Sequence, residues 1–157
     1  MLRSTSTPTE FDGPDCEYVD GEIIERNMGQ YRHGNIQLWV GILLGMMAKR
    51  IGLKVSVEVR IKISESRYRI PDLIGLAQRG RSVGCEILSP TDQPIETFQK
   101  IQEYLAAGIE WIWVIDPYKG RAMVYSYENP AGETVTVLRT EAPAIKIPLS
   151  KALNPRI

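Results

Sequence analysis

Two acidic residues near the middle of the chain lie on short apolar segments that have the pattern of β-strands. Asp72 belongs to the segment 69–76 and Glu86 to the segment 83–90. The residues between these segments are polar and include a glycine, which favours a reversal of chain direction. Position 79 is midway between the two acids, so a hairpin centred there places them directly opposite each other, with Cβ atoms roughly 4.5–5.5 Å apart. Such a pair repels unless a cation lies between its members, and Mg2+ prefers oxygen ligands of this kind.

The carboxylate pair also has an ordinary structural interpretation. Acidic residues at strand ends often face solvent, and one pair is weak evidence for a metal site when it is taken alone. The two interpretations are separated by the residues that follow in the chain.

A basic residue suited to phosphate chemistry lies on the helix predicted after the second acid. Lys100 falls beside the apolar face that Phe98, Ile101 and Leu105 would form. Its long stem could run along apolar surface and bring the ammonium group to the strand ends. The alternative is a surface i,i+4 pair with Glu96, worth a few tenths of a kcal/mol. Helical geometry alone leaves both interpretations open.

Composition is typical of one globular domain of ordinary size. The chain has 157 residues, of which 43% are hydrophobic and 24% are charged. Residues 1–14 have the composition of a flexible lead-in, and residues 15–157 are expected to form a single domain. The N-terminus has no signal-peptide pattern, and the longest apolar stretch, 38–48, is shorter than the roughly 20 residues of a membrane span. We therefore expect a cytoplasmic protein that does not enter a membrane.

Cysteine, histidine and charge counts restrict the chemistry further. One histidine with Cys16 and Cys85 cannot form an ordinary structural zinc site, so a metal would need oxygen ligands. The 19 basic and 19 acidic residues cancel, which argues against strong sequence-independent binding of nucleic acid. The segment 58–81 is locally basic, and it could form either a basic surface beside the acids or an ordinary solvated hairpin face.

Hydrophobic periodicity and turn signals predict an α/β (α+β) protein with a mixed β-sheet flanked by helices. The predicted elements are a hairpin of Glu17–Val19 and Glu22–Ile24 around Asp20-Gly21, a helix over 31–50, a strand over 55–63, strands over 70–76 and 83–88, a helix from Pro94 to about Ala107 capped by the segment 91–93, a central strand over 111–115, a strand over 121–127 and a last strand over 144–147.

Several stretches of the chain form a joint pattern: Asp15 to Glu22, the start of the helix that bears His33, Arg69 to Asp72, Glu86 to Pro90, Tyr104 to Gly108 and Trp111 to Pro117. The order Pro71-Asp72, Glu86-x-Leu88 and a helix-borne Lys100 resembles the signature of the PD-(D/E)XK nuclease superfamily, with the lysine moved from the strand to the helix. Within that superfamily, the stretches together resemble the Uma-two family of restriction-endonuclease-like proteins. The resemblance implies a restriction-endonuclease-like fold and metal-dependent hydrolysis of phosphodiesters, with DNA as the expected substrate.

The resemblance also assigns roles to residues. Asp72 and Glu86, with the Ile87 carbonyl, would bind one or two Mg2+ or Mn2+ ions, and Lys100 would be the displaced catalytic lysine. Glu22 and His33 lie in matching stretches and could border the cleft, and Glu58, on the polar face of its strand, could supply a further carboxylate; for these three an ordinary surface or capping role is the favoured alternative. Tyr104 is a further accessory candidate. A homodimer is expected from the symmetry of cutting two strands.

One departure from the family pattern supports a rival hypothesis. Only 13 residues separate Asp72 from Glu86, fewer than is usual in the family. The predicted hairpin register shows that the shorter link can still bring both carboxylates together. Together with the neutral net charge, however, the short link adds weight to the alternative of a catalytically inactive module that retains the nuclease fold and binds nucleic acid or protein.

Overall fold

The computed structural model describes residues 16–25, 31–77 and 81–154 of the chain. The predicted lead-in and the hairpin centre at position 79 lie outside these residues. The elements in chain order are β1 (Cys16–Val19), β2 (Glu22–Glu25), α1 (Tyr31–Ile51), β3 (Leu53–Val57), β4 (Ile61–Ser64), β5 (Arg67–Arg69), β6 (Leu73–Ala77), β7 (Ser82–Ile87), α2 (Pro94–Ala106), β8 (Trp111–Asp116), β9 (Arg121–Ser126), β10 (Glu133–Val135), β11 (Val137–Glu141), β12 (Ala144–Pro148) and α3 (Leu149–Leu153).

A mixed six-stranded sheet forms the centre of the fold, in the order β10-β9-β8-β7-β6-β3. Strands β7 and β8 pair in parallel, and α2 supplies the crossover that a parallel pair requires. The neighbouring pairs in this sheet are antiparallel. The predicted fold class, a mixed sheet flanked by helices, is therefore confirmed.

Two apolar clusters cover the opposite faces of the central sheet. One cluster joins α1, through Ile36, Val40 and Leu44, to alternate residues of β7. The other joins α2 to the intervening positions of the sheet, which include Ile74 and Val114. Because side chains alternate along a strand, every second residue of β6 and β7 faces α2.

The register of β6 and β7 agrees with the hairpin predicted from the sequence. Leu73 pairs with Cys85, and Ile74 pairs with Gly84. The same register, continued by one residue beyond β6, sets Asp72 opposite Glu86. Both acids have the parity of the residues that face α2.

The N-terminal hairpin belongs to a second sheet, in the order β2-β1-β5-β4. Its predicted turn is confirmed, because Asp20 and Gly21 have φ values of 50° and 88°. The predicted continuous strand over 55–63 is wrong. It is interrupted at Glu58, which has a φ of 53°, and the chain then leaves the central sheet for the second one. Because the alternating pattern is the same on both sides of the break, the sequence does not indicate that the chain changes sheet.

Both long helices end where the glycines predicted. Gly52 follows α1 with a φ of 67°, and Gly108 follows α2 with a φ of 105°. The predicted cap of α2 is wrong, because Gln93 occupies the N-cap position without a side-chain hydrogen bond. Asp92 instead accepts a hydrogen bond from the Ser89 N–H at 2.7 Å.

The helices within residues 16–25, 31–77 and 81–154 do not reach the combined length and apolarity needed to cross a membrane.

Candidate active site

Asp72 and Glu86 lie close together beside the end of β7, and both are almost completely buried. Their exposed fractions are 1% and 7%. The Ile87 N–H donates a hydrogen bond of 2.7 Å to Asp72 Oδ2, so the carboxylate reaches the backbone beside Glu86. His33 Nε2, from the first turns of α1, lies 3.2 Å from the same oxygen. The carboxylate of Asp72 is therefore oriented from two sides.

The backbone of Asp72 is also held in place. Its carbonyl oxygen accepts hydrogen bonds from Gln37 Nε2 at 2.9 Å and from the Glu58 N–H at 3.3 Å. Gln37 contacts the Glu58 carboxylate as well, at 3.4 Å. The β3–β6 ladder therefore continues through Glu58 to Asp72 before the chain leaves the central sheet.

Glu86 lies between a phenol and an ammonium group. The Tyr104 hydroxyl donates a hydrogen bond of 2.7 Å to Oε1, and Lys100 Nζ lies 3.8 Å from Oε2. Burial raises the pKa of Glu86 to about 7; the neighbouring Lys100 opposes this shift and the charge of Asp72 adds to it. Without a further cation, this carboxyl group is half protonated near neutral pH.

Lys100 lies between two carboxylates. Its Nζ atom is 3.6 Å from Glu17 Oε1 and 3.8 Å from Glu86 Oε2. Burial alone would lower the pKa of Lys100, but the two carboxylates outweigh it and the net shift is upward. Of the two interpretations left open by the sequence, the structure favours delivery of the ammonium group to the strand ends. The partners it describes for Lys100 are Glu17 and Glu86 rather than Glu96.

The buried face of α2 differs from the predicted one. Phe98 is 47% exposed, and the buried residues of the helix are Ile101, Tyr104 and Leu105. Lys100 and Tyr104 lie one turn apart, so both reach Glu86 from the same side of the helix.

An ion-pair network behind Lys100 was not predicted as part of the site. Arg69 donates to Glu17 Oε2 and to Glu103 Oε2, both at 2.9 Å. Arg67 pairs with Glu103 and with Asp20. Glu17 and Arg69 both lie in stretches that match the Uma-two pattern, and this was the available signal for them.

The basic segment 58–81 is therefore less available to a ligand than its sequence indicates. Arg67 and Arg69 are held in the network, and Lys62 pairs with Glu65 at 3.0 Å. Arg79 lies outside the described residues.

The accessory candidates separate into two groups. His33 and Tyr104 contact Asp72 and Glu86 directly. Glu58 is exposed and approaches Asp72 through its backbone N–H. Glu22 is exposed at the start of β2, and none of its described contacts joins it to the acids.

The two carboxylates form a donor set that fits Mg2+. No group of three or more His, Cys, Asp and Glu side chains is arranged to hold a metal within the described part of the chain. A metal bound by Asp72, Glu86 and the Ile87 carbonyl would need water and substrate oxygens to complete its coordination. Mg2+ is commonly held in this way, by one or two carboxylates together with phosphate and water. The mutual repulsion of two buried carboxylates also favours a divalent cation between them.

The mixed sheet flanked by helices is a restriction-endonuclease-like fold. The structure is similar to the crystal structure of a "putative nuclease belonging to DUF820" from Anabaena variabilis, with a TM-score of 0.73. The two chains are 21% identical, and the match covers 89% of this chain and 90% of that one.

The sequence profile of the Uma2 (Uma-two) family, described as "Putative restriction endonuclease", matches residues 4–149. The chain belongs to the Uma2 family, as its motifs predicted. No curated protein matches it. Membership of this family supports a nuclease-like function.

Proposed function

We propose that this protein is a divalent-metal-dependent endonuclease that hydrolyses phosphodiester bonds in DNA. The observation that carries the proposal is the proximity of two buried carboxylates and one ammonium group: Asp72 accepts a hydrogen bond from the Ile87 N–H, next to Glu86, and Lys100 Nζ lies 3.8 Å from Glu86. The β6–β7 register, continued by one residue, sets Asp72 opposite Glu86, where the two carboxylates can share a cation.

Asp72 and Glu86 are the proposed metal ligands, with the Ile87 carbonyl. When bound there, Mg2+ or Mn2+ would supply Lewis-acid activation of the attacking water and of the scissile phosphate. The protein's contribution is to orient the ligands: the Ile87 N–H and His33 hold the Asp72 carboxylate, and the Tyr104 hydroxyl holds that of Glu86. Such outer contacts fix the direction of a ligand's lone pairs.

Lys100 acts as a cation in this proposal rather than as a proton acceptor. Its pKa is raised despite burial, because Glu86 and Glu17 flank it, so it carries its proton at neutral pH. A fixed ammonium group stabilises the charge that develops on a phosphate in the transition state. It has no free lone pair with which to deprotonate water.

Positive groups near the site support nucleic acid as the partner. The edge of the central sheet where β7 and β8 end also carries the segment from Asp116 to Arg121 and the first turn of α1. Arg32 precedes His33 in the sequence, and its guanidinium lies 5.2 Å from the centre of the Tyr118 ring. An arginine stacked on an aromatic ring can contact both a phosphate and an unstacked base.

Cleavage of supercoiled plasmid and of labelled DNA and RNA oligonucleotides tests the proposal. We expect cutting with Mg2+ or Mn2+ but not with EDTA. Asp72→Asn, Glu86→Gln and Lys100→Met should each abolish it, and Lys49→Met, an exposed lysine late in α1, should cut as the parent does. Cutting that survives in both acid variants would refute the assigned site. Cutting of RNA alone would refute the proposed substrate.

The neutral net charge and the engaged arginines favour a second candidate, a module that binds without cutting. Its signature would be nucleic-acid or protein binding that is unaffected by Mg2+, with no cleavage under any metal. Asp72→Asn should then leave the affinity unchanged.

A further inference from the structure

Glu17 is a buried acid of the N-terminal hairpin that reaches the proposed active site. Its exposed fraction is 4%, although it lies on a strand of the second sheet. The Ile70 N–H donates to Oε1 at 3.3 Å, and Arg69 donates to Oε2 at 2.9 Å. Lys100 Nζ lies 3.6 Å from Oε1. Glu17 has no assigned role in the proposed reaction.

The contacts of Lys100 suggest what Glu17 does. The ammonium group lies at nearly equal distances from Glu17 and Glu86, and both distances are longer than an ordinary charge-assisted hydrogen bond. Glu86 is a proposed metal ligand, so its oxygens would face the metal when one is bound. Glu17 would then be the carboxylate left to hold Lys100.

Glu17 is itself fixed in place. Arg69, only 9% exposed, and the Ile70 N–H both donate directly to Glu17, so the acid is tied to the end of β5. Because these two donors hold its carboxylate, Glu17 has little freedom to follow a movement of Lys100. Its position therefore sets that of the ammonium group.

We propose that Glu17 is a positioning residue for Lys100, through which the N-terminal hairpin completes the active site. This inference rests on the proposed function for its catalytic meaning. Glu17 would hold the ammonium group in place if Glu86 bound a metal. Without Glu17, Lys100 pairs with Glu86 alone and opposes the entry of a second cation.

Glu17→Gln tests this role, because it retains the shape of the side chain and removes its charge. We expect kcat to fall about 10–100-fold, as for other misplaced catalytic groups, with KM for DNA nearly unchanged. The Mg2+ concentration for half-maximal rate should rise. Glu103→Gln is the matched control, because it removes a carboxylate from the same network that has no described contact with Lys100. It should lower the Tm while leaving kcat close to that of the parent.

A second measurement needs neither metal nor DNA. Acetic anhydride acylates the free amine form of lysine, so the acetylation rate of each lysine, measured by mass spectrometry, reports how well its partners shield it from the reagent. In Glu17→Gln, labelling of Lys100 should accelerate several-fold relative to Lys62, which is exposed and pairs elsewhere. Glu103→Gln should label Lys100 at the parental rate.

The two measurements separate the possible failures. Unchanged labelling of Lys100 in Glu17→Gln overturns the inference, and so does an equal loss of kcat in Glu103→Gln. An inactive parent with accelerated labelling in Glu17→Gln refutes the proposed function but keeps Glu17 as the anchor of Lys100. If Glu17→Gln does not fold, Glu17→Asp can replace it, because the shorter side chain keeps the charge but withdraws it from Lys100 by one methylene group. Labelling of Lys100 at the parental rate in Glu17→Asp would then overturn the inference.

Discussion

The raised pKa of Glu86 predicts that the metal-free protein loses stability as the pH rises towards neutrality. Burial is the main cause of the shift, from 4.5 to about 7, and Asp72 adds to it against the opposing effect of Lys100. Between these two pH values the folded state keeps a proton that the unfolded state has released. Stability therefore falls with increasing pH, and the contribution of the protonated Glu86 is fully present only below pH 4.5.

The size of the effect follows from the shift. One pKa unit corresponds to 1.36 kcal/mol, so a rise from 4.5 to about 7 is worth about 3 kcal/mol across this interval. Glu86→Gln removes the titration while keeping a group that can accept the Tyr104 hydroxyl. As the pH rises across this interval, the difference in the free energy of unfolding, Glu86→Gln minus parent, should therefore increase by about 3 kcal/mol.

Urea unfolding of both proteins in EDTA, at several pH values from 4 to 8, measures this difference. Titrating groups that do not interact with Glu86 affect both proteins alike and cancel in the comparison. Mg2+ added at pH 8 should restore stability to the parent but not to Glu86→Gln, because the metal needs the ionised carboxylate. A difference between the two proteins that does not change with pH would refute the assignment of a raised pKa to Glu86.

Three further perturbations follow from particular contacts. Mg2+ at 100 times its Kd should stabilise the parent by about 2.7 kcal/mol, seen as a higher Tm, and Asp72→Ala should remove this shift; an equal rise in the variant would locate the metal elsewhere. Tyr104→Phe removes a buried hydrogen bond to Glu86 and should lower the free energy of unfolding in urea by about 1–3 kcal/mol. Because that bond lowers the pKa of Glu86, the midpoint pH of Mg2+ binding should rise in the variant, and an unchanged midpoint would contradict the contact. Gly75→Ala would place a Cβ 2.9 Å from the Leu53 side chain and should cost about 1–3 kcal/mol in the same assay, whereas a neutral change would mean that Leu53 can move aside.

Much of the local structure could be predicted because it depends on short-range constraints. Positive φ is costly for most residues, so Asp20-Gly21 marks a hairpin and Gly52 and Gly108 mark helix ends. The two-residue period of a strand, together with the turn midway between the acids, required Asp72 and Glu86 to share a face if the hairpin formed. The register of β6 and β7 agrees with that reasoning.

Contacts between distant segments could not be obtained in this way. An alternating pattern is the same whether a strand continues or changes sheet, so the break at Glu58 was missed. A helical wheel gives the direction of Lys100 but not the surface on which its helix packs. The packing of α2 against the central sheet decides that Lys100 pairs with Glu86 and not with Glu96. The packing of the N-terminal hairpin brings Glu17 to the same ammonium group.

The chain's own residue order thus determined the opposed acids, the turn signals and the membership of the Uma2 family, because each depends on neighbouring residues or on a period along one strand. The burial that raises the pKa of Glu86 and the network around Glu17 required the folded molecule. Both depend on desolvation and on charges brought together from separate elements, and neither quantity is encoded by spacing along the sequence.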